Sequence, residues 1–171
     1  MMERHGWDMG VDYKFMYRTI VRHLRSSKGK DKCYDAVLLI QLRNGSRISE
    51  AVRAFKKFVL TRKREVRVKV SKKRRYEERL MVIPNEITEE MADECSYLSL
   101  LDDGILIDRL RKHATNKFGV NTHSLRYAFI TYLARQGVNP LIIAKTIHHA
   151  RLDNLLNYIQ VKESEDLLRE L

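Results

Sequence analysis

The stretch 122–161, THSLRYAFITYLARQGVNPLIIAKTIHHARLDNLLNYIQV, decides how this chain is read. Leu125, Ala128, Phe129, Tyr132 and Leu133 recur at helical spacing, which predicts a helix over 122–136. Gly137 supplies a left-handed stop. Pro140 suits a first helical turn and opens a shorter helix over 140–148. A third helix is expected over 153–160. His123 and Arg126 are three residues apart and fall off the apolar stripe, so both project to one side. Taken alone, H-x-x-R is an ordinary surface histidine beside a surface arginine.

Upstream, helical periodicity recurs over 12–25 and 31–43, with Asp31 as a candidate cap for the second. Asn44-Gly45 marks a stop, and another helix follows over 47–60. The period then changes. Val66, Val68 and Val70 alternate with Arg67 and Lys69, as in a half-buried strand. The run RLMVI over 79–83 is a second strand, closed by Pro84. Between them SKKRRYEE makes a long, basic hairpin tip. Further helices are expected near 88–101 and 105–118. The fold class is mainly α with one small β-hairpin, in a single domain over 1–171 whose core spans about 12–161.

Of 171 residues, 44% are hydrophobic, enough to build a core and to exclude wholesale disorder. The longest apolar run, 36–40, is five residues, so no membrane span is expected. The opening MMERHGWDMG lacks the apolar heart of a secretory leader. Cys33 and Cys95 form no CxxC, so reduced thiols are expected rather than a disulfide or a cysteine zinc site. The six histidines include no i, i+4 pair, and no P-loop, GxGxxG, HExxH or GxSxG occurs. Nucleotide hydrolysis, dehydrogenation and metal-dependent hydrolysis all lack their usual parts.

Charge points to a polyanion. The chain carries net +11, and residues 62–79 hold ten basic against three acidic residues, +7 of that total. The bland alternative is a solvated basic loop. Lys69, Lys73, Arg74 and Arg75 are the candidate DNA contacts.

With its neighbours, the H-x-x-R helix resembles the C-terminal box of the tyrosine recombinases, the phage-integrase family. In that family a Gly-capped turn follows, then a short helix ending in Leu-Gly-His, then a tyrosine nine residues on. Here Ile147-His148-His149 holds that place, and Tyr158 lies nine residues after His149. The family's first box, T-G-L-R-x-S-E, is matched by Gly45, Arg47, Ser49 and Glu50, with Asn44 and Ser46 departing from it. The family's hairpin bearing a catalytic lysine falls where this chain has its basic hairpin. The resemblance covers 44–161, about two-thirds of the chain, and marks a divergent member, of the kind seen in archaea and their viruses.

The resemblance implies a site-specific recombinase that cleaves and rejoins DNA through a 3′-phosphotyrosyl link, with no metal, ATP or other cofactor. Arg47 and Arg126 would hold the nonbridging oxygens, since planar guanidinium forks bind phosphate oxygens in pairs. Tyr158 would be the nucleophile and His123 would accept its proton. Lys72 would protonate the leaving 5′-oxygen, and His149 would bond the phosphate. Glu50 reads as a structural partner for an arginine or an amide, and His148 as a packing or helix-terminal residue. The family's N-terminal core-binding domain is missing, and the tail, 162–171, would dock on a neighbouring protomer of a tetramer on double-stranded DNA. A cytoplasmic protein is expected, nucleoid-associated or encoded by a virus or mobile element. Three rivals remain: a non-enzymatic helix-turn-helix protein, a type IB topoisomerase, and a decayed or accessory fragment.

Overall fold

The computed structural model describes residues 10–149 and 151–171; the nine opening residues that were read for a leader lie outside these. Helices α1 (Tyr13–Ser26), α2 (Lys30–Asn44) and α3 (Ile48–Thr61) come first. Strands β1 (Glu65–Lys69) and β2 (Glu78–Val82) follow, then α4 (Glu89–Glu94), α5 (Asp103–His113), α6 (Thr122–Arg135), α7 (Pro140–Ile147) and α8 (Leu152–Glu170).

The longest apolar run of the sequence lies in α2. Residues Ala36, Val37, Leu38, Leu39 and Ile40 are all fully buried there, as a helix apolar on every side must be. Helices α1, α3, α5 and α6 pack around it. Amphipathic α1 starts where the Asp12 side chain accepts the Phe15 amide at 2.8 Å, and it buries Met16, Ile20, Val21 and Leu24. The strands form an antiparallel pair from Glu65 opposite Val82 to Lys69 opposite Glu78, with alternate residues turned inward. This is the mainly helical, single-hairpin fold that the periodicities predict.

Three details differ. The helix expected over 88–101 breaks at Cys95 into α4 and a 3-10 turn, Ser96–Leu100. The next ends α5 with a π turn, Ala114–Phe118, stopped by Gly119 at φ 66°. Downstream, α8 runs without a break through the tail, where Arg135 of α6 holds Asp166 at 3.2 Å. The tail thus gains by elongating an existing helix the order that it could not nucleate alone.

The expectation of reduced thiols is overturned: Cys33 of α2 and Cys95 are joined in a disulfide, with Cα atoms 5.6 Å apart. Both sulfurs lie in the main core, and a sequence separation of 62 gives no hint of that meeting. A second buried connection was equally invisible. The Asp35 carboxylate, wholly buried, meets His23 Nδ1 at 2.5 Å and His113 Nε2 at 2.7 Å and accepts Ser27 Oγ at 3.1 Å. These bonds tie α1, α2 and α5 together and satisfy a charge that would otherwise be costly to bury.

Candidate active site

Glu50 organises the site. It sits at the third position of α3, where its Oε1 accepts the Arg47 amide at 3.1 Å, half of a capping box. Its Oε2 accepts Arg47 Nη1 at 3.2 Å and the Ser71 amide at 3.0 Å. Arg79 Nη1 lies 3.3 Å from Oε1, and Arg126 Nη1 lies 4.0 Å from the same oxygen. Burial alone would raise the Glu50 carboxyl. The Ser71 amide and the guanidinium of Arg79 outweigh burial and hold it below the ordinary range. One buried carboxylate therefore gathers three guanidiniums, from the N-cap of α3, from β2 and from α6, although 79 residues separate Arg47 from Arg126.

Arg126 is 3% exposed. Its Nη1 donates to the Gly45 carbonyl at 3.1 Å, whereas Nη2 is buried and has no hydrogen-bond partner among the described residues. Burial first, and then the charge of Arg47, lower its pKa to about 10, with Glu50 opposing both. The first-box turn is built for this contact. Gly45 ends α2 at φ 58°, and a Cβ there would sit 2.1 Å from Phe129 Cδ1. Asn44, one of the two departures in that box, bonds the Val82 amide and carbonyl and so fixes β2 beside the turn.

The histidines and the hairpin lysine share this field. His123, on the first turn of α6, is held below its ordinary pKa by burial, then by Lys72, Arg126 and Arg47. His149 is also lowered, first by burial and then by Arg126. Its Nδ1 accepts the Arg151 amide at 3.2 Å, which leaves the ring proton of the neutral form on Nε2. Lys72 is exposed in the hairpin loop at φ 60°. Arg47 and Arg126 thus act on both histidines, and Lys72 acts on His123.

Tyr158 is placed differently. It is 9% exposed, and its hydroxyl is hydrogen-bonded to Thr131 Oγ1 at 3.0 Å. Its ring stands edge-on to Tyr127 with centroids 5.0 Å apart. In the neighbouring segment His148 stands where the family's Leu-Gly-His has glycine. His148 ends α7 in the left-handed conformation, φ 52° and ψ 49°, which glycine adopts without strain.

The basic run divides into two sets. Arg62 binds Asp93 and Arg64 donates to Pro84 and Ile87 carbonyls, so both brace the fold. Arg79, which the sequence assigned only to a strand, is 2% exposed and belongs to the site. Its signal was faint: an arginine on the inward register of an otherwise apolar strand. Lys69, Arg74 and Arg75 are exposed, and Lys73 is partly buried. His23, Asp35 and His113 are the group whose ligand atoms, within 4.8 Å of one another, could serve one ion; each already has a hydrogen-bond partner in that group.

No protein-family model matches the chain. It is 40% identical over 169 residues to "Putative integrase ORF241" of Acidianus two-tailed virus, covering 96% of this chain and 68% of that one. Among solved structures it is similar to XerA recombinase, at 18% identity and TM-score 0.55 over 93% of the chain. It is also similar to the Tn1549 transposon integrase, at 19% identity and TM-score 0.50 over 88%. The chain spans 61% and 63% of those two solved chains, and at such identities the likeness is one of fold.

Proposed function

Because the chain belongs to the tyrosine recombinase (integrase) family, we propose that it breaks and rejoins DNA strands through Tyr158. Arg47 and Arg126 bind the nonbridging oxygens of one phosphodiester. The Tyr158 oxygen attacks phosphorus and its proton passes to His123. The bond from phosphorus to the 5′-oxygen breaks, and that oxygen takes a proton from Lys72. His149 donates Nε2–H to the phosphate. The 3′-phosphotyrosyl bond stores the energy of the broken linkage, so the reverse reaction reseals a strand.

The observation that carries this reading is Arg126 Nη2, a buried donor without a partner beside two further arginines. Leaving such a group unpaired costs about 1–3 kcal/mol, and a phosphate oxygen would satisfy it. With Glu50 at −1 and Arg47, Arg79 and Arg126 at +3, the cluster carries net +2. That matches the charge accumulating on phosphate oxygens during displacement. Removing one preorganised donor of this kind costs about 3–4 kcal/mol of barrier.

DNA is the partner in this reading; the solved Tn1549 integrase is itself in complex with a circular intermediate DNA. This chain supplies the catalytic domain. Its binding falls steeply with salt, because phosphate contacts dominate. Assembly into a tetramer through 162–171 completes the proposal. The experiment is a denaturing gel of protein mixed with nicked or suicide duplex. Wild type leaves a covalent band and Tyr158→Phe leaves none; a wild type that binds DNA yet leaves no band overturns the reading.

A further inference from the structure

The hairpin and the α7–α8 turn meet at a single carboxylate. Glu77, in the loop between β1 and β2, accepts a hydrogen bond from His148 Nδ1 through Oε1, and its Oε2 lies 3.5 Å from Lys73 Nζ. Two cationic or donor side chains, 75 residues apart, thus converge on one two-oxygen anion. His148 is an improbable residue for its backbone, since at φ 52° glycine would fit without strain. A histidine there trades backbone ease for a side chain that reaches the hairpin.

We propose that His148 and Lys73 form a second phosphate-binding site, which the Glu77 carboxylate fills in the DNA-free protein and leaves when a DNA backbone phosphate arrives. The inference rests on the DNA-processing reading and names a further subsite of that same face. A carboxylate and a phosphodiester each present one negative charge on two oxygens, so the same donors serve both. All three side chains are partly exposed, Lys73 and His148 at 23% and Glu77 at 39%, so a phosphate can reach them. The site adjoins the first: His149 is the next residue, and it feels the charges of Arg126, Arg47 and Lys73 together. Glu77 is fully ionised at neutral pH, because the His148 bond, with help from Lys73, holds its carboxyl below the ordinary range. The exchange is a ligand substitution with no covalent step. It also releases the hairpin that carries Lys72, so engagement of a neighbouring phosphate and delivery of the proton donor become one event.

The test is a double-mutant cycle on DNA affinity, using the full chain, a labelled duplex of about three helical turns and fluorescence anisotropy. Glu77→Gln tightens binding about fivefold in the wild-type background, because His148 and Lys73 are freed. In the His148→Gly background the same change gains less than about twofold, because one of the two freed donors is gone. His148→Gly alone weakens binding, and glycine is the residue its backbone favours, so that loss cannot come from misfolding. Equal gains from Glu77→Gln in both backgrounds mean a bare charge effect and overturn the proposal, as does no gain at all. The covalent-adduct gel run beside it separates the two readings. A wild type without adduct sinks the strand-transfer reading whatever the cycle gives. Adduct with an additive cycle sinks only the second phosphate site.

Discussion

The Tyr158 hydroxyl is hydrogen-bonded to Thr131 Oγ1 at 3.0 Å, on the same helix that presents His123 and Arg126 but more than a turn beyond them. The proposed nucleophile is thus packed in the smaller core with Ile130, Leu155 and Ile159. Attack requires exchanging the Thr131 bond for one to His123. Thr131→Val keeps the shape and removes the bond, worth about 1 kcal/mol net. Single-turnover adduct formation on suicide DNA rises by roughly three- to fivefold, with DNA affinity unchanged. A rate that stays flat means that leaving Thr131 is not part of the barrier.

A pH profile follows from the histidines. The field of Lys72, Arg126 and Arg47, added to burial, keeps His123 neutral to below the ordinary value of about 6.5, so a base is present at neutral pH. The acid limb of cleavage therefore lies below that value. Lys72→Gln removes a repelling charge, raises the His123 pKa and moves the limb to higher pH, a shift read separately from any fall in maximum rate.

Stability carries the opposite check on the same groups. Both His123 and His149 bind a proton less readily folded than unfolded. Between the lowered folded values and about 6.5 the unfolded chain holds more protons, so stability falls as pH drops through that window and is level above it. Denaturant melts at pH 5 and pH 7.5 measure the loss. His123→Asn reduces it, and an unchanged difference contradicts the depressed value.

How far the sequence leads depends on whether a feature is periodic. The inward register of Val66 and Val68, the apolar run of α2 and the stop at Gly45 were all legible, because each is a local repeat or a local backbone demand. The break at Cys95 was not, since the 88–101 pattern continues across it, and at the break Cys95 is bonded to Cys33 and Leu98 is buried in the core. The proposed site residues were found through family resemblance, which ordered Arg47, His123, Arg126, His149 and Tyr158 along the chain. Arg79 has no such marker. Its place beside Glu50 arises only when β2 pairs with β1 and turns residue 79 inward. The bond from Asp35 to His113 and the disulfide likewise depend on helices meeting in space, across separations of 78 and 62 residues.

The disulfide carries its own prediction. Closing a loop between residues 33 and 95 removes chain entropy from the unfolded state worth roughly 4 kcal/mol at this length. Reduction under denaturant-free conditions, or a Cys33→Ser/Cys95→Ser pair, lowers Tm by about 10 °C in a chain of this size. The oxidised wild type shows no free thiol by alkylation under denaturing conditions. Two reactive thiols in oxidised protein, or equal melts for reduced and oxidised forms, refute the bond's contribution.

Gly45 ties stability to chemistry most directly. Its carbonyl accepts Arg126 Nη1, its φ of 58° ends α2, and its missing Cβ leaves room for the ring of Phe129. Gly45→Ala is opposed twice. The left-handed backbone costs an alanine about 1 kcal/mol, and a methyl 2.1 Å from Phe129 Cδ1 forces a shift costing about 1–3 kcal/mol more. Phe129 lies on α6 one turn after Arg126, so the shift also withdraws the guanidinium from the carbonyl. Adduct formation therefore falls more than stability alone explains, by an order of magnitude or more even at temperatures where the variant is fully folded. Phe129→Leu opens space at the ring edge. Adding it to Gly45→Ala restores part of the activity while leaving the backbone penalty, so the two changes are non-additive for cleavage. Additive losses would mean that Arg126 is positioned independently of the first-box turn.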